Sequence, residues 1–369
     1  MSFAEVCADI GRKDLLRASA SASAADVDRA LASSSPDLFD FAVLLSPAAD
    51  DRLEEMARAS HEITMRRFGR TVQLYAPLYV SNECVESCTY CSFARENPVV
   101  RRTLTLPEVR EEAEMLRDAG FRHVLVVSGE HPRLVSPEYM ASILRELAGD
   151  FASLSVEVQP QTTEVYREWT TAGADGLIVY QETYDREVYA RVHTAGKKRD
   201  YDWRLQTPER GAEAGMRRIG IGALLGLADW RVEALHLAAH AQYLLRACWR
   251  TAVTVSLPRL RPAAYSIAAP HPVSDRDMAR IVCALRILLP DVGIVLSTRE
   301  SASFRDGLLP LGITQMSAGS KTEPGGYSGM DTEEQFSVED ARSPAEVAQA
   351  IRARGFDPVW KDWEAVLHG

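Results

Sequence analysis

The sequence has no long apolar run, few cysteines and no excess of basic residues. Its longest apolar stretches, such as Val124–Val127 and Ile221–Leu227, are far shorter than the roughly 20 residues that a transmembrane helix needs. Residues 1–16 carry charges without an apolar core, so we expect no secretory signal and a cytoplasmic protein. The net charge of −10 disfavours a nucleic acid as the main partner.

Six cysteines in 369 residues do not suggest a disulfide framework, and three of them stand close together. Cys84, Cys88 and Cys91 form a C-x3-C-x2-C pattern with no other Cys or His nearby in the sequence. Structural zinc usually takes four protein ligands, whereas a [4Fe–4S] cluster held by three thiolates keeps one iron open. The spacing favours a catalytic iron–sulfur cluster. A zinc-binding scaffold without catalysis is the alternative from another class.

From residue 71 onwards, short apolar runs alternate with helical patterns, which indicates βα units and a parallel sheet. The helix patterns begin at capping signals such as Thr105 and Ser274. Eight repeats predict an α/β fold, a (β/α)8 barrel of the TIM type, with an open doubly wound sheet as the alternative. The predicted strands are Val72–Val80, His123–Ser128, Leu154–Val158, Gly176–Tyr180, Arg218–Leu224, Ala252–Leu257, Val292–Ser297 and Ile313–Ser317.

The sequence divides into three predicted parts. Residues 1–70 form a helical N-terminal extension, in which the small polar residues of 17–35 are typical of a poorly packed helix or linker. Residues 71–320 form the barrel, and residues 321–369 are a C-terminal segment that closes it.

Polar side chains follow the apolar strands at the point where each strand ends. In a barrel these ends meet at one rim, where the loop with the three cysteines also lies. The sequence therefore predicts a polar pocket beside the cysteine loop. The glycines of Gly220–Gly226 would let a cofactor approach the backbone closely.

Tyr90 supplies the aromatic residue of the C-x3-C-x-aromatic-C signature of radical S-adenosylmethionine (SAM) enzymes. The chain resembles the radical SAM tyrosine lyases of thiamin thiazole biosynthesis (2-iminoacetate synthases), which have a biotin-synthase-like barrel. Eight segments in order carry this resemblance: Ala76–Asn82, Gln181–Tyr184, Gly196–Leu205, Gly220–Arg231, Pro258–Pro262, Leu296–Glu300, Ser317–Tyr327 and Pro358–Trp363.

The resemblance implies a role for each candidate site residue. Cys84, Cys88 and Cys91 would hold a [4Fe–4S] cluster whose fourth iron is chelated by SAM. The residues expected to bind SAM are Tyr90, Ser128, Gly129, Glu130, Glu157, Glu182, Arg204 and Gly222. Among these, Glu130 would meet the methionine amine, and Arg204 would hold the carboxylate or ribose end. Arg299 and Ser317 would bind the carboxylate of the amino-acid substrate, with Tyr79 near its ring.

The resemblance also implies a reaction and partners. A 5′-deoxyadenosyl radical would remove a hydrogen from the amino group of L-tyrosine, and Cα–Cβ cleavage would yield 2-iminoacetate and p-cresol. Thiazole synthase and a flavodoxin- or ferredoxin-type electron donor are the expected protein partners. Another radical SAM aromatic amino-acid lyase, such as a tryptophan lyase or a cofactor-assembly relative, is the alternative. A second cluster, as in the relative from hydrogenase maturation, is not expected, because only Cys248 and Cys283 follow Cys91.

Overall fold

The computed structural model describes residues 2–9, 12–261 and 265–361. Pro262 and Trp363, which end two of the segments that carry the family resemblance, lie outside the described residues, as do residues 362–369 of the predicted C-terminal segment. No helix within the described ranges is both long and apolar enough to cross a membrane.

The strands within these ranges account for the predicted barrel. They are β1 (Thr71–Ser81), β2 (Ser87–Cys88), β3 (His123–Ser128), β4 (Ser153–Glu157), β5 (Gly176–Glu182), β6 (His193–Ala195), β7 (Arg218–Ala223), β8 (Ala252–Ser256), β9 (Gly293–Leu296), β10 (Gln315–Ser317) and β11 (Asp357–Val359). Eight of these strands are parallel neighbours in the order β1-β3-β4-β5-β7-β8-β9-β10. β10 then pairs with β1, with Gln73 opposite Gln315, so the sheet closes. The barrel prediction is confirmed, and the open-sheet alternative is wrong.

Three short strands lie outside the barrel. β11 pairs with the start of β1, which brings the C-terminal segment back to the barrel. β2 and β6 pair antiparallel, with Cys88 opposite His193. This pairing ties the cysteine loop after β1 to the chain that follows β5.

Helices surround the barrel and precede it. They are α1 (Phe3–Asp9), α2 (Arg12–Ser21), α3 (Ala24–Leu31), α4 (Leu38–Leu44), α5 (Leu53–Arg67), α6 (Leu106–Asp118), α7 (Pro137–Leu147), α8 (Thr163–Thr171), α9 (Arg186–Val192), α10 (Tyr201–Leu205), α11 (Thr207–Glu213), α12 (Trp230–Ala247), α13 (Asp275–Leu288), α14 (Ala302–Leu308) and α15 (Pro344–Ala353), with 3-10 turns at Pro47–Arg52, Lys197–Arg199 and Leu309–Leu311. The two predicted capping sites are confirmed: Thr105 is the N-cap of α6 and Ser274 is the N-cap of α13.

The N-terminal extension is helical, as predicted, but it is better packed than its composition suggested. Helices α4 and α5 pack against α13 of the barrel. The expectation of a poorly packed segment over 17–35 is wrong for α3, in which Val27 and Ala30 are buried. A capping box between Ser23 and Asp26 fixes the start of this helix. A small apolar face and a cap are sufficient to order it against α4.

Polar side chains fill the N-terminal ends of the barrel strands. Arg218, at the start of β7, donates a 3.0 Å hydrogen bond to Gln73 Oε1 of β1. The amide nitrogen of Gln73 lies 3.1 Å from a ring nitrogen of His123, the first residue of β3. The side chains described below lie at the opposite, C-terminal ends of the strands, where barrel enzymes carry their chemistry.

Candidate active site

The cysteine loop follows β1, and an arginine side chain holds it by hydrogen bonds to its backbone carbonyl oxygens. The Arg101 guanidinium donates to the carbonyl oxygens of Asn82, Phe93, Ala94 and Asn97, at 2.7 to 3.2 Å. One side chain therefore fixes both ends of the loop that carries the cysteines. An arginine suits this task because its planar group offers five donors in a fixed geometry.

The three cysteine side chains line one cavity at the rim of the barrel. All three are free thiols, and burial raises the pKa of Cys84 to about 12. Among the described residues, no three His, Cys, Asp or Glu side chains converge closely enough for a single metal ion. An iron–sulfur cluster needs no such convergence, because its irons are spread over several corners and each thiolate binds one of them. Three thiols on the wall of one cavity therefore suit a cluster, in which each thiolate binds a different iron.

The end of β3 forms the wall of this cavity. A Cβ atom on Gly129 would lie 2.3 Å from the carbonyl oxygen of Glu83, so only glycine lets the strand end approach the cysteine loop this closely. Ser128 beside it lines the cavity, and its buried hydroxyl has no hydrogen-bond partner in the described part of the chain. Buried polar groups are nearly always paired, so this hydroxyl suits a polar ligand in the cavity.

Four charged side chains meet on the same cavity. Arg204 donates to Glu130 at 2.9 Å and lies 3.8 Å from Glu182, while Lys198 lies 2.8 Å from Glu182 and 3.9 Å from Glu130. Burial opposes ionisation of Glu182, yet the charges of Lys198 and Arg204 hold its pKa below the ordinary value. Glu182 also adopts a positive φ of 69°, which is uncommon for a residue other than glycine. The ion pairs hold this backbone conformation at the end of β5.

A second cavity adjoins the first and shares Glu157, Tyr180 and Arg299 with it. It also contains Tyr79 from β1 and Ser317 from β10. The structure thus places the three predicted substrate residues in one cavity, next to the predicted cofactor residues.

Arg299 stacks on an aromatic ring and forms no ion pair with a carboxylate of the described residues. Its guanidinium carbon lies 3.2 Å from the centre of the Phe336 ring. Within the described ranges, no carboxylate is within 4.0 Å of its nitrogens. The two acids that follow it in the sequence pair elsewhere: Glu300 pairs with Arg259 and Arg261, and Asp306 pairs with Arg342. Glu157 and Glu182 act on Arg299 through their charges without forming an ion pair with it. The guanidinium is therefore available to a carboxylate ligand.

Two predicted cofactor residues lie differently from the rest. The Tyr90 hydroxyl is 2.7 Å from His193 Nε2, and the residue lines the first cavity. Gly222 lines neither cavity. A Cβ on it would lie 2.7 Å from the Tyr180 ring and 2.8 Å from the Ser256 carbonyl oxygen. Its lack of a side chain makes room for Tyr180, and its predicted contact with a cofactor stays a prediction.

Sequence reasoning missed several side chains of the site, including Tyr180 of β5 and three that lie outside the barrel strands. Lys198 belongs to the segment Gly196–Leu205, which carries the family resemblance but gives this residue no role. Its position follows from Glu86 in the cysteine loop, whose carboxylate accepts the backbone N–H groups of Lys197 and Lys198 at 3.0 and 2.8 Å. Gln335 and Phe336 line both cavities from the segment after β10. No strand or helix period marks them in the sequence.

Glu157 makes the stability of the protein depend on pH. Burial, and next the neighbouring Glu182, raise the pKa of Glu157 from 4.5 to about 7. Between pH 4.5 and pH 7, Glu157 is ionised in the unfolded chain but keeps its proton in the folded protein. Stability from this group is therefore fully present below pH 4.5 and is lost as the pH rises to 7.

When the pH rises from 5 to 8, we expect the free energy of unfolding to fall less for Glu157→Gln than for the parent. The difference between the two falls should be at most about 3 kcal/mol. The measurement is chemical denaturation of the metal-free protein across this range. The matched control is Glu168→Gln, at an exposed position of α8, which should follow the parent curve. Parallel curves for Glu157→Gln and the parent would show that Glu157 is ionised in the folded protein at neutral pH.

Comparison with known proteins assigns the family. The family models for the Radical SAM superfamily and for the Biotin and Thiamin Synthesis associated domain match residues 78–238 and 256–357. The chain is 46% identical to the 2-iminoacetate synthase of Escherichia coli (strain K12) over 346 residues, which cover 93% of this chain and 92% of that protein. The corresponding protein of Salmonella typhimurium (strain LT2) is 45% identical over the same shares.

A solved structure agrees with this assignment. The crystal structure of HydG, a maturase of the [FeFe]-hydrogenase, matches with a TM-score of 0.89 and 34% identity, over 95% of this chain and 79% of that chain. The high identity over nearly the whole chain, together with the three thiols at the rim of a closed barrel, places the chain in one family. The chain belongs to the 2-iminoacetate synthases of the radical SAM superfamily, and its cofactors are a [4Fe–4S] cluster and SAM.

Proposed function

We propose that this chain cleaves the Cα–Cβ bond of L-tyrosine, forming 2-iminoacetate and p-cresol for the thiazole moiety of thiamin. One observation carries the proposal: the cavity of the three cysteines adjoins a second cavity, and Arg299, which lines both, forms no ion pair with a carboxylate of the described residues. A cofactor and an amino acid can therefore lie side by side. The family of the chain supports the same reaction.

The residues of the first cavity suit the two ends of SAM. Cys84, Cys88 and Cys91 are the proposed cluster ligands. The bound cluster and SAM together supply a one-electron reagent that can abstract hydrogen from an unactivated position. The unpaired Ser128 hydroxyl and the Glu130 carboxylate offer acceptors to the amine of SAM, and the Arg204 guanidinium offers donors to an anionic or hydroxyl end.

The residues of the second cavity suit the carboxylate and ring of an aromatic amino acid. Arg299 can bind the carboxylate through two parallel hydrogen bonds, and stacking on Phe336 keeps its plane in one orientation. Tyr79, T-shaped against Phe93, presents an aromatic wall. Because Arg299 lines both cavities, a substrate carboxylate bound to it would lie next to the proposed cofactor cavity, which suits removal of a hydrogen from the adjacent amino group.

The two products together contain all the atoms of tyrosine, so the reaction needs no water as a reactant. Cleavage gives an imine of two carbons that retains the nitrogen and carboxylate, and a 4-hydroxybenzyl fragment that takes up one electron and one proton to become p-cresol. An imine hydrolyses readily in water, which favours direct use by a thiazole synthase. We therefore infer a thiazole synthase and a one-electron donor of the flavodoxin or ferredoxin type as partners in the cytoplasm.

A substrate comparison tests the proposal. The reconstituted, reduced protein is incubated without oxygen with SAM and each aromatic amino acid, and the products are measured by mass spectrometry. We expect 5′-deoxyadenosine together with p-cresol from tyrosine, and no cleavage of tryptophan or phenylalanine. Cleavage of tryptophan in preference to tyrosine would replace the proposal with a tryptophan lyase.

A further inference from the structure

Gln335 lies between a cluster cysteine and the substrate cavity. Its Nε2 atom is 3.7 Å from Cys91 Sγ, within the range of an N–H···S hydrogen bond. Its Oε1 atom accepts a 2.7 Å hydrogen bond from the Tyr79 hydroxyl. One amide group thus connects the cysteine loop after β1 to a side chain on the wall of the second cavity.

The chemistry of the two partners fixes the orientation of this amide. The Tyr79 hydroxyl can donate or accept a hydrogen bond, so the requirement of Cys91 decides the orientation. A cysteine that binds iron is a thiolate and accepts hydrogen bonds only. The amide must therefore turn its oxygen to Tyr79 and its NH₂ group to Cys91, as observed.

The backbone around Gln335 is also fixed. The N–H of Gln335 donates to the Thr322 carbonyl oxygen at 3.0 Å, and the Thr322 hydroxyl donates to the Phe336 carbonyl oxygen at 3.0 Å. The Glu333 carboxylate accepts the N–H of Val100 at 2.7 Å, which attaches this segment to the chain just after the cysteine loop. These contacts hold the amide where it can act on Cys91.

A hydrogen bond to a cluster sulfur has a definite electronic effect. Reduction adds negative charge to the cluster, and a donor on a cysteine sulfur stabilises that charge more in the reduced form than in the oxidised form. Hydrogen bonds to the sulfurs are among the factors that set the potentials of iron–sulfur clusters. A donor at Cys91 should therefore make the cluster easier to reduce.

We propose that Gln335 is a positioning residue that donates a hydrogen bond to the Cys91 thiolate and raises the reduction potential of the cluster. The Tyr79 hydroxyl donates to the oxygen of the same amide. The inference rests on the proposed role of Cys91 as a cluster ligand. Gln335 lies in the segment after β10, outside the cysteine motif, so the motif alone does not identify it as a residue that affects the cluster.

The test is a potentiometric titration of the reconstituted protein without SAM, with the reduced cluster followed by electron paramagnetic resonance. Gln335→Met keeps the length of the side chain and removes the donor. At a fixed solution potential, we expect the ratio of reduced to oxidised cluster to be roughly tenfold lower than in the parent, which corresponds to about 59 mV for one electron. Gln349→Met, at an exposed position of α15, is the control and should match the parent.

A second variant covers the case in which Gln335→Met fails to assemble a cluster. Gln335→Leu removes the donor without adding a charge, so its potential should also fall. An unchanged potential in a variant that contains the parent amount of iron overturns the inference. A parent protein that assembles no cluster instead overturns the proposed function, so the two failures are distinguishable.

Discussion

Cys84→Ala, Cys88→Ala and Cys91→Ala should each remove the iron–sulfur cluster and abolish turnover. The three thiols line one cavity, and the other cysteines lie on different elements, with Cys248 at the end of α12 and Cys283 buried within α13. No spare thiol within the described ranges can replace a lost ligand. Iron and sulfide analysis after anaerobic reconstitution should give about four of each per parent chain and a large loss in each variant.

Cys248→Ala is the matched control for this prediction. Cys248 is a partly exposed free thiol outside the cavities of the site, so this variant should retain the iron, sulfide and activity of the parent. One equivalent of zinc in the parent, with no iron after reconstitution, would contradict the cluster assignment. It would instead support a zinc-binding scaffold.

Arg299→Lys should reduce p-cresol formation by about 100-fold or more. Lysine retains the positive charge but cannot form the two parallel hydrogen bonds with a carboxylate, and small errors in placing a reacting group cost about this much. Formation of 5′-deoxyadenosine should continue without tyrosine cleavage, because the charged residues around Glu130 and Arg204 are unchanged. Both products are measured by chromatography in the same reaction.

The control for Arg299 is Arg250→Lys, which changes an exposed arginine and should leave both products at the parent level. Normal p-cresol formation by Arg299→Ala would show that the substrate carboxylate binds elsewhere. Equal loss of 5′-deoxyadenosine and p-cresol would place Arg299 in the SAM site rather than in the substrate cavity.

The barrel could be predicted from the sequence because its strands are short apolar runs with clear ends. Once eight parallel strands close, their C-terminal ends must meet, so Ser128, Glu182 and Arg299 were predicted to lie together although they are distant in the sequence. The pairing of β10 with β1 closes the sheet, so the ends of strands that are distant in the sequence become neighbours in space.

Lys198 and Gln335, two side chains that sequence reasoning missed, lie outside the barrel strands. Lys198 reaches the site because the Glu86 carboxylate accepts hydrogen bonds from two backbone N–H groups of the turn that contains Lys198. Gln335 reaches the site because its backbone N–H donates to the Thr322 carbonyl oxygen. Such contacts between distant segments have no period in the sequence. Gly222 has a structural role that its sequence context does not reveal, since its missing side chain makes room for the Tyr180 ring.

The most direct test of the account uses tyrosine labelled with ¹³C at Cβ and ¹⁵N at the amine. The reaction with reduced, reconstituted protein and SAM is quenched with borohydride, which reduces the imine product to glycine. We predict equal amounts of p-cresol with ¹³C in its methyl group and glycine with ¹⁵N and no ¹³C. Recovery of both labels in one product would show that the Cα–Cβ bond stays intact and would contradict the account.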